Sequence, residues 1–176
     1  MNTQQAVAEK TCHEERVPRR ILFVCTGNTC RSPMAAALLK DLSRPREVCS
    51  VGEGSSSPAY LVGSAGLYAR EGEPITPAAA DALRAAGVVA TPDNDYPAHT
   101  ARNVREEMVE EADEVVGLTA AHAMELLMRF PQAATKIRTL PMDIPDPYGG
   151  DAEVYRTCLA QLRYALELAY FTGEQL

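Results

Sequence analysis

A cysteine and an arginine six positions apart are the residues of this sequence best placed to do chemistry. Cys25 follows four apolar residues (21–24) that are typical of a short buried strand, while Ser32 and Pro33 favour a helix with Ser32 as its N-cap. The backbone N–H groups of such a turn and the positive end of a helix form an anion site, which favours the nucleophilic thiolate of Cys25. Arg31 adds a planar fork of donors that can bind two oxygens of a phosphoryl group. The spacing therefore predicts a cup for a tetrahedral oxyanion with a sulfur nucleophile at its floor.

The residues between the cysteine and the arginine suit a tight curl of the backbone. Gly27 supplies backbone freedom, and Asn28 tolerates a left-handed conformation. A buried structural cysteine ahead of an ordinary helix is the simpler alternative, but the Gly-Asn and Ser-Pro pairs together favour an anion-binding loop. The predicted phosphate-binding loop comprises Cys25 and Arg31 with Thr26, Gly27, Asn28, Thr29, Cys30 and Ser32.

A carboxylic acid is the other group that this chemistry needs. A thiolate that attacks phosphorus requires a protonated leaving group and then a deprotonated water, and one positioned carboxyl can serve both steps in turn. Asp146 is the candidate, because Pro147 stiffens its loop and Tyr148 can form a wall of the cleft. Asp151 is typical of a helix cap, whereas Asp143 stays open as an alternative acid.

Length, charge and cysteine usage limit the class of protein. A chain of 176 residues that is 46% hydrophobic and 23% charged is typical of one globular domain with a sizeable core. The net charge of −7 argues against nucleic acid or an anionic membrane as a partner, so phosphate must be bound at a local site. The sequence shows no membrane-spanning apolar run and no signal-peptide core, and its five cysteines are spaced neither as a disulfide framework nor as a zinc site. We expect a cytoplasmic monomer that uses no metal and no cofactor.

Strands that alternate with helices predict an α/β fold. Residues 1–18 are polar and are expected to be a flexible extension, in which Cys12 and His13 lack a second pair of ligands for a metal. Residues 19–176 then form one domain, with a mobile connection over residues 43–58 that carries Cys49. Further strands are predicted at 59–65, 113–118 and 136–140, and helices at 76–87, 103–112, 119–130 and about 151–170. This order predicts three layers, with a four-stranded parallel sheet flanked by helices and the site beyond the carboxyl ends of the strands.

Two motifs, far apart in the chain, resemble those of a known family. The run CTGNTCRSPMA (25–35) resembles the signature of the low-molecular-weight cysteine phosphatases, and DPYGG (146–150) looks like the general-acid loop of that family. The resemblance covers about residues 19–172. It implies a protein phosphatase with Cys25 as nucleophile, Arg31 on the phosphoryl group and Asp146 as acid. The support network that it implies for the loop consists of Asn28, Ser32, Ser64 and His99.

Cys30 and His122 are two further residues with a possible part in the site. In the family, a cysteine at the position of Cys30 can form a disulfide with the nucleophile, and such a pair of thiols suits reversible oxidation by peroxide. The alternative is that Cys30 is a small filler of the loop. His122 follows a predicted helix start and is expected to be no more than a residue of the rim.

Thr29 and the residues after Tyr148 bear on the substrate. Tyrosine-directed members of the family usually carry a bulky aliphatic residue at the position of Thr29, and often a second aromatic where this chain has Gly149 and Gly150. The combination here is similar to the bacterial protein-arginine-phosphatase branch, which implies phosphoarginine on proteins as the substrate. A hydroxyl can bond to a guanidinium, and sites built for a polar group discriminate strongly against substrates that lack it. Phosphotyrosine is the alternative substrate.

Two other functions suit this sequence less well. An arsenate reductase on the same scaffold needs further cysteines to relay electrons, and none lies between Cys49 and Cys158, of which the latter is expected in the core. A non-catalytic phosphate-binding module would not need Asp146 beside an intact nucleophile. Hydrolysis of an aryl phosphate would distinguish the enzyme from such a module.

Overall fold

The computed structural model describes residues 17–44 and 59–172, which contain one parallel sheet. Its four strands are β1 (Arg19–Cys25), β2 (Tyr60–Gly66), β3 (Glu114–Gly117) and β4 (Ile137–Thr139), in the order β2-β1-β3-β4. Every pairing is parallel, so the carboxyl ends of the strands lie at one edge. Most of the predicted extension, with Cys12 and His13, and most of the predicted connection, with Cys49, lie outside the described residues.

Helices cover both faces of this sheet. They are α1 (Arg31–Leu42), α2 (Pro77–Ala85), α3 (Glu106–Glu111), α4 (Ala120–Arg129) and α5 (Ala152–Tyr170). Because successive side chains of a strand point to opposite faces, Ile21 and Phe23 pack in a core with α1, α2 and α5, whereas Leu22 and Val24 pack in a second core with α3 and α4. The predicted α/β fold, with four parallel strands between two helical layers, is confirmed. Within the described ranges, no helix combines the length and the apolar character needed to cross a membrane.

Side-chain caps start three of the helices as the sequence predicts. Thr76, Thr119 and Asp151 accept backbone N–H bonds at the starts of α2, α4 and α5. The prediction that Ser32 caps α1 is wrong, because that helix already begins at Arg31 and the Ser32 hydroxyl lies against the sulfur of the preceding strand.

The predicted helix over 103–112 is also wrong at its start. Only α3 is helical there, because Asn103 forms a bridge with Gly66 at the end of β2. The side-chain amide of Asn103 donates to the carbonyl of Ala69 at 2.8 Å, which holds this part of the backbone beside the sheet. The helix therefore begins three residues later than predicted, at Glu106.

Two glycines allow close packing at the carboxyl edge of the sheet. Gly66 pairs with Cys25, and a Cβ at Gly66 would stand 2.7 Å from the carbonyl oxygen of Thr26. Gly117 ends β3, and a Cβ there would stand 2.6 Å from the backbone nitrogen of Ala123 in α4. The missing side chains let the loop after β1 and the first turn of α4 approach the sheet, so both reach the same edge.

Candidate active site

The loop between β1 and α1 wraps around the sulfur of Cys25. Cys25 is 2% exposed, the backbone N–H of Asn28 donates to its Sγ over 3.3 Å, and the Ser32 hydroxyl lies 3.0 Å from the same sulfur. Asn28 has the left-handed conformation that its type allows, with a φ of 56°. Gly27, expected to share this role, has no positive φ, and a Cβ there would stand 3.7 Å from the hydroxyl of Thr29, an ordinary contact. The curl therefore depends on Asn28.

Asn28 is also the centre of the hydrogen-bond network that holds the loop. Its amide nitrogen donates to the hydroxyls of Ser32 at 2.8 Å and Ser64 at 3.0 Å, and its Oδ1 accepts the backbone N–H of Arg102 at 3.0 Å. Its carbonyl oxygen lies 2.8 Å from Nε2 of His99, which is half-buried. The structure thus brings the four predicted support residues together. The sequence did not predict the part of Arg102, because a backbone donor has no signature in the residue type.

The guanidinium of Arg31 joins the loop to the segment before α5. It donates to the carbonyl of Ile144 at 3.3 Å and to Oδ2 of Asp146 at 2.8 Å. The side chain of Arg31 is 7% exposed and that of Asp146 is 52% exposed, so the ion pair joins a buried cation to a carboxylate that solvent can reach. Two of the three predicted catalytic groups are therefore in direct contact.

The other predicted residues of this segment have separate partners. Oδ1 of Asp143 accepts the first backbone N–H of α4 at 2.8 Å and Asp151 caps α5, so Asp146 is the one of the three carboxylates that pairs with Arg31. Tyr148 donates its backbone N–H to Oδ1 of Asp146 at 3.2 Å, and the residue is 73% exposed beside the site. In the described part of the chain, no three His, Cys, Asp or Glu residues are grouped so as to hold a metal ion.

His122 packs against the loop, so the prediction that it is only a residue of the rim is wrong. It is 7% exposed, with Nε2 3.0 Å from the hydroxyl of Thr26 and Nδ1 2.9 Å from that of Thr119, the N-cap of α4. Burial, reinforced by the positive charge of Arg31, lowers the pKa of His122, and burial also lowers the pKa of His99. Both shifts favour the neutral form of the ring.

Cys30 and Thr29 are two further residues of the loop with little exposed surface. The Sγ of Cys30 is 3.4 Å from the hydroxyls of both Thr76 and Tyr155, and burial followed by the bond to this thiol raises the pKa of Tyr155 to about 12. Thr29 is 8% exposed, and in the described residues its hydroxyl has one polar side-chain neighbour, the thiol of Cys30 at 3.7 Å. Three described cysteines are free thiols: Cys25, Cys30 and Cys158.

Comparison with known proteins identifies the family. Residues 20–170 match the family described as low molecular weight phosphotyrosine protein phosphatase. The match spans both the loop around Cys25 and the segment of Asp146. The chain belongs to this family of cysteine-dependent hydrolases, which confirms the family indicated by the two sequence motifs.

Individual relatives represent two substrate classes. The chain is 37% identical over 158 residues to a protein-arginine-phosphatase of Geobacillus stearothermophilus, which covers 86% of this chain and 93% of the relative. It is 33% identical over 159 residues to a low molecular weight protein-tyrosine-phosphatase of Streptomyces coelicolor, which covers 83% of this chain and 88% of the relative. A solved structure of YwlE arginine phosphatase, a cysteine-to-serine mutant with phosphorylated active site serine, has a TM-score of 0.68 at 33% identity and covers 84% of this chain and 90% of its own.

Proposed function

We propose that this chain hydrolyses phosphorylated protein side chains by way of a cysteinyl-phosphate, with Cys25 as nucleophile, Arg31 as phosphoryl ligand and Asp146 as general acid and base. The observation that carries the proposal is the convergence of these groups. The backbone N–H of Asn28 and the hydroxyl of Ser32 lie within 3.3 Å of the sulfur, and the guanidinium of Arg31 contacts the carboxylate of Asp146 at 2.8 Å. The phosphorylated serine in the solved relative is the kind of covalent state that this mechanism requires.

Both halves of the reaction balance with these residues. The Cys25 thiolate attacks phosphorus, the bond from phosphorus to the leaving nitrogen or oxygen breaks, and Asp146 donates a proton to the leaving group. The same carboxylate then removes a proton from water, whose oxygen attacks phosphorus, and the S–P bond breaks to release inorganic phosphate and the thiolate. Arg31 and the N–H groups of the loop stabilise the charge on the phosphoryl oxygens in both steps.

Substitution of neighbouring aspartates tests the assignment of the acid. On phenyl phosphate, whose poor leaving group needs a proton, Asp146→Asn should lower kcat by about 10²–10⁴-fold. Asp143→Asn is the matched control, because that carboxylate bonds to the start of α4, and it should leave kcat nearly unchanged. If Asp143→Asn is instead the inactive variant, the alternative acid is the correct one. Intact turnover by Cys25→Ser would overturn the covalent mechanism.

The proposed substrate class is phosphoarginine, and it rests on the hydroxyl of Thr29. Because the neighbouring thiol of Cys30 is a weak partner at 3.7 Å, this hydroxyl can accept a hydrogen bond from a guanidinium. The relative named an arginine phosphatase supports this assignment. The relative named a tyrosine phosphatase and the exposed ring of Tyr148, which can stack on a phenyl group, favour phosphotyrosine as the second candidate.

Two peptides of one sequence, phosphorylated on arginine or on tyrosine, distinguish the candidates. The wild type should have the higher kcat/KM on the phosphoarginine peptide. Thr29→Val keeps the shape of the side chain without its hydroxyl and should lower this value by about tenfold, while Thr29→Ile should shift the preference toward phosphotyrosine. A preference of the wild type for phosphotyrosine that neither variant changes would defeat the arginine assignment.

We also propose that Cys30 is the resolving thiol of a reversible oxidation. Peroxide would oxidise the Cys25 thiolate to a sulfenic acid, and the sulfur of Cys30 would then displace water to form a disulfide. Peptide mapping without reductant should find the link between Cys25 and Cys30 after peroxide treatment. Cys158→Ser is the matched control, since Cys158 is 3% exposed in the core, and it should form the same link. The absence of this link in the wild type would contradict the proposal.

We propose further that residues 19–176 form the phosphatase domain and that residues 1–18 are an extension of it. The family match over residues 20–170 supports this boundary.

We propose that the protein acts on phosphorylated proteins as a cytoplasmic monomer, without nucleic-acid or membrane partners. The need to keep Cys25 reduced and the net charge of −7 support these assignments. Light scattering should give the mass of one chain, and a chain without residues 1–18 should keep full activity; a dimer or an inactive truncated chain would contradict the proposal.

A further inference from the structure

His122 is buried beside the phosphate-binding loop, and the proposed reaction assigns it no role. We propose that His122 is a positioning residue, which holds the Thr26 side of the loop and thereby sets the affinity of the loop for a phosphoryl group. This inference rests on the proposed function, because it concerns the same loop.

Different elements hold the two sides of the loop. On one side, the side chain of Asn28 bonds to three partners. On the other side, the carbonyl of Thr26 accepts the N–H of Tyr68 at 2.9 Å, and the hydroxyl of Thr26 lies 3.0 Å from Nε2 of His122. Thr26 is itself exposed, and among the described residues His122 is the only side chain bonded to it. Without His122, the residue that follows the nucleophile would be held by its backbone alone.

The ring of His122 is fixed at both nitrogens. Nδ1 lies 2.9 Å from the hydroxyl of Thr119, which also accepts the backbone N–H of His122 at 3.3 Å. The charged groups that act electrostatically on the ring come from the start of α1, from α4 and from the segment before α5: Arg31, Glu125, Asp143 and Asp146. Because both nitrogens already contact hydroxyls and the ring is 7% exposed, its geometry suits a rigid support for Thr26.

Binding of inorganic phosphate and hydrolysis of phenyl phosphate test this role. His122→Ala and Thr26→Val each remove one half of the bond, and each should raise both the Kd for inorganic phosphate and the KM for phenyl phosphate by about three- to tenfold, with a smaller effect on kcat. The double variant should lose no more than the weaker-binding single variant, because the two residues act through one bond. His122→Gln, whose amide can reach Thr26, should recover most of the lost affinity.

Glu114→Gln is the matched control, because it should lower the stability of the fold without displacing Thr26. Glu114 is 7% exposed, lies at the start of β3, away from the site, and pairs with Arg19 at 3.0 Å. This variant should lower Tm and leave the Kd for phosphate unchanged. If His122→Ala behaves in the same way, if the losses of the two single variants multiply, or if His122→Gln recovers nothing, the positioning role is wrong.

Two features keep the test decisive. Thr26→Val changes an exposed side chain, so it tests the bond even where His122→Ala fails to fold. The Kd for phosphate is measured without turnover. A wild type that binds phosphate but hydrolyses nothing would refute the proposed function, while the Kd values of the variants would still decide the role of His122.

Discussion

Asn28 offers a sharp test of how the loop is held, because one residue combines a left-handed backbone with three side-chain hydrogen bonds. Asn28→Gly removes the three bonds but suits the φ of 56°. Asn28→Ala removes the same bonds and keeps a side chain on a left-handed backbone. The two variants together separate the contribution of the bonds from that of the backbone.

The magnitudes follow from the partners of Asn28. A buried hydrogen bond contributes about 0.5–1.5 kcal/mol, so loss of the bonds to Ser32, Ser64 and Arg102 should lower the free energy of unfolding by roughly 3 kcal/mol in Asn28→Gly. A left-handed backbone costs a residue with a side chain about 1–2 kcal/mol, and the greater freedom of unfolded glycine offsets part of this difference. Asn28→Ala should therefore be about 1 kcal/mol less stable than Asn28→Gly.

Urea unfolding at neutral pH measures these differences. A domain has about 5–15 kcal/mol of stability, so both variants should remain folded in water. Asn94→Ala is the control, because Asn94 is 3% exposed and its side-chain amide makes one bond within the described residues, to the carbonyl of Ala37 at 3.1 Å. It should cost roughly 1 kcal/mol and leave phosphate binding unchanged, whereas both Asn28 variants should bind inorganic phosphate more weakly.

Two results would refute the reasoning about Asn28. A stability of Asn28→Gly within about 0.5 kcal/mol of the wild type would mean that the three bonds contribute nothing net. A higher stability of Asn28→Ala than of Asn28→Gly would mean that the left-handed backbone carries no cost at this position.

Three further predictions concern other parts of the structure. Gly66→Ala places a Cβ 2.7 Å from the carbonyl of Thr26, so the loop must shift and kcat/KM on phenyl phosphate should fall by about tenfold or more; an unchanged value would show that the loop tolerates the shift. Glu114→Gln should lower the free energy of unfolding in urea by about 1–3 kcal/mol, because the carboxylate pairs with an arginine of β1 at 3.0 Å, and full stability would contradict this. Since the pKa values of His99 and His122 are lowered from the ordinary 6.5, the unfolded chain takes up their protons first, so their contribution to stability is present above pH 6.5 and is lost as the pH falls below it. Urea midpoints measured from about pH 7.5 to about pH 5 should decrease, and less steeply in His122→Gln; a rise on acidification would have the wrong sign.

The sheet and the loop could be predicted from the sequence because both depend on local pattern. The four apolar residues of β1 and the caps at Thr76 and Thr119 each act within a few positions of the chain, and the structure confirms them. The Ser-Pro pattern failed at Ser32 for a physical reason. A serine caps a helix only when its hydroxyl is free, and this one lies against Cys25 and Asn28, contacts that the fold creates.

The choice between Asp143 and Asp146 shows where local pattern ends. The sequence favours Asp146 because of Pro147 and Tyr148, but Asp143 stands in similar Pro-rich surroundings and stays open as an alternative acid. The contact between Arg31 and Asp146 joins positions 115 apart, and it exists because β1 and the segment before α5 meet at one edge of the sheet. The topology places this edge, but only the packed structure shows which carboxylate reaches the guanidinium.

The glycine that ends β3 is the one indirect signal in the sequence for the proposed role of His122 in supporting Thr26. A glycine in a buried strand marks the close approach of another backbone, and at Gly117 that backbone is α4, whose Ala123 nitrogen would stand 2.6 Å from a Cβ. Since α4 begins at Ala120, His122 lies in its first turn and is carried to the edge where the loop after β1 also lies. A larger residue at position 117 must push α4 away from the sheet, and His122 with it. Gly117→Ala should therefore raise the Kd for inorganic phosphate, as His122→Ala does, although no residue of the loop is substituted. An unchanged Kd would show that the approach of α4 does not hold Thr26 in place.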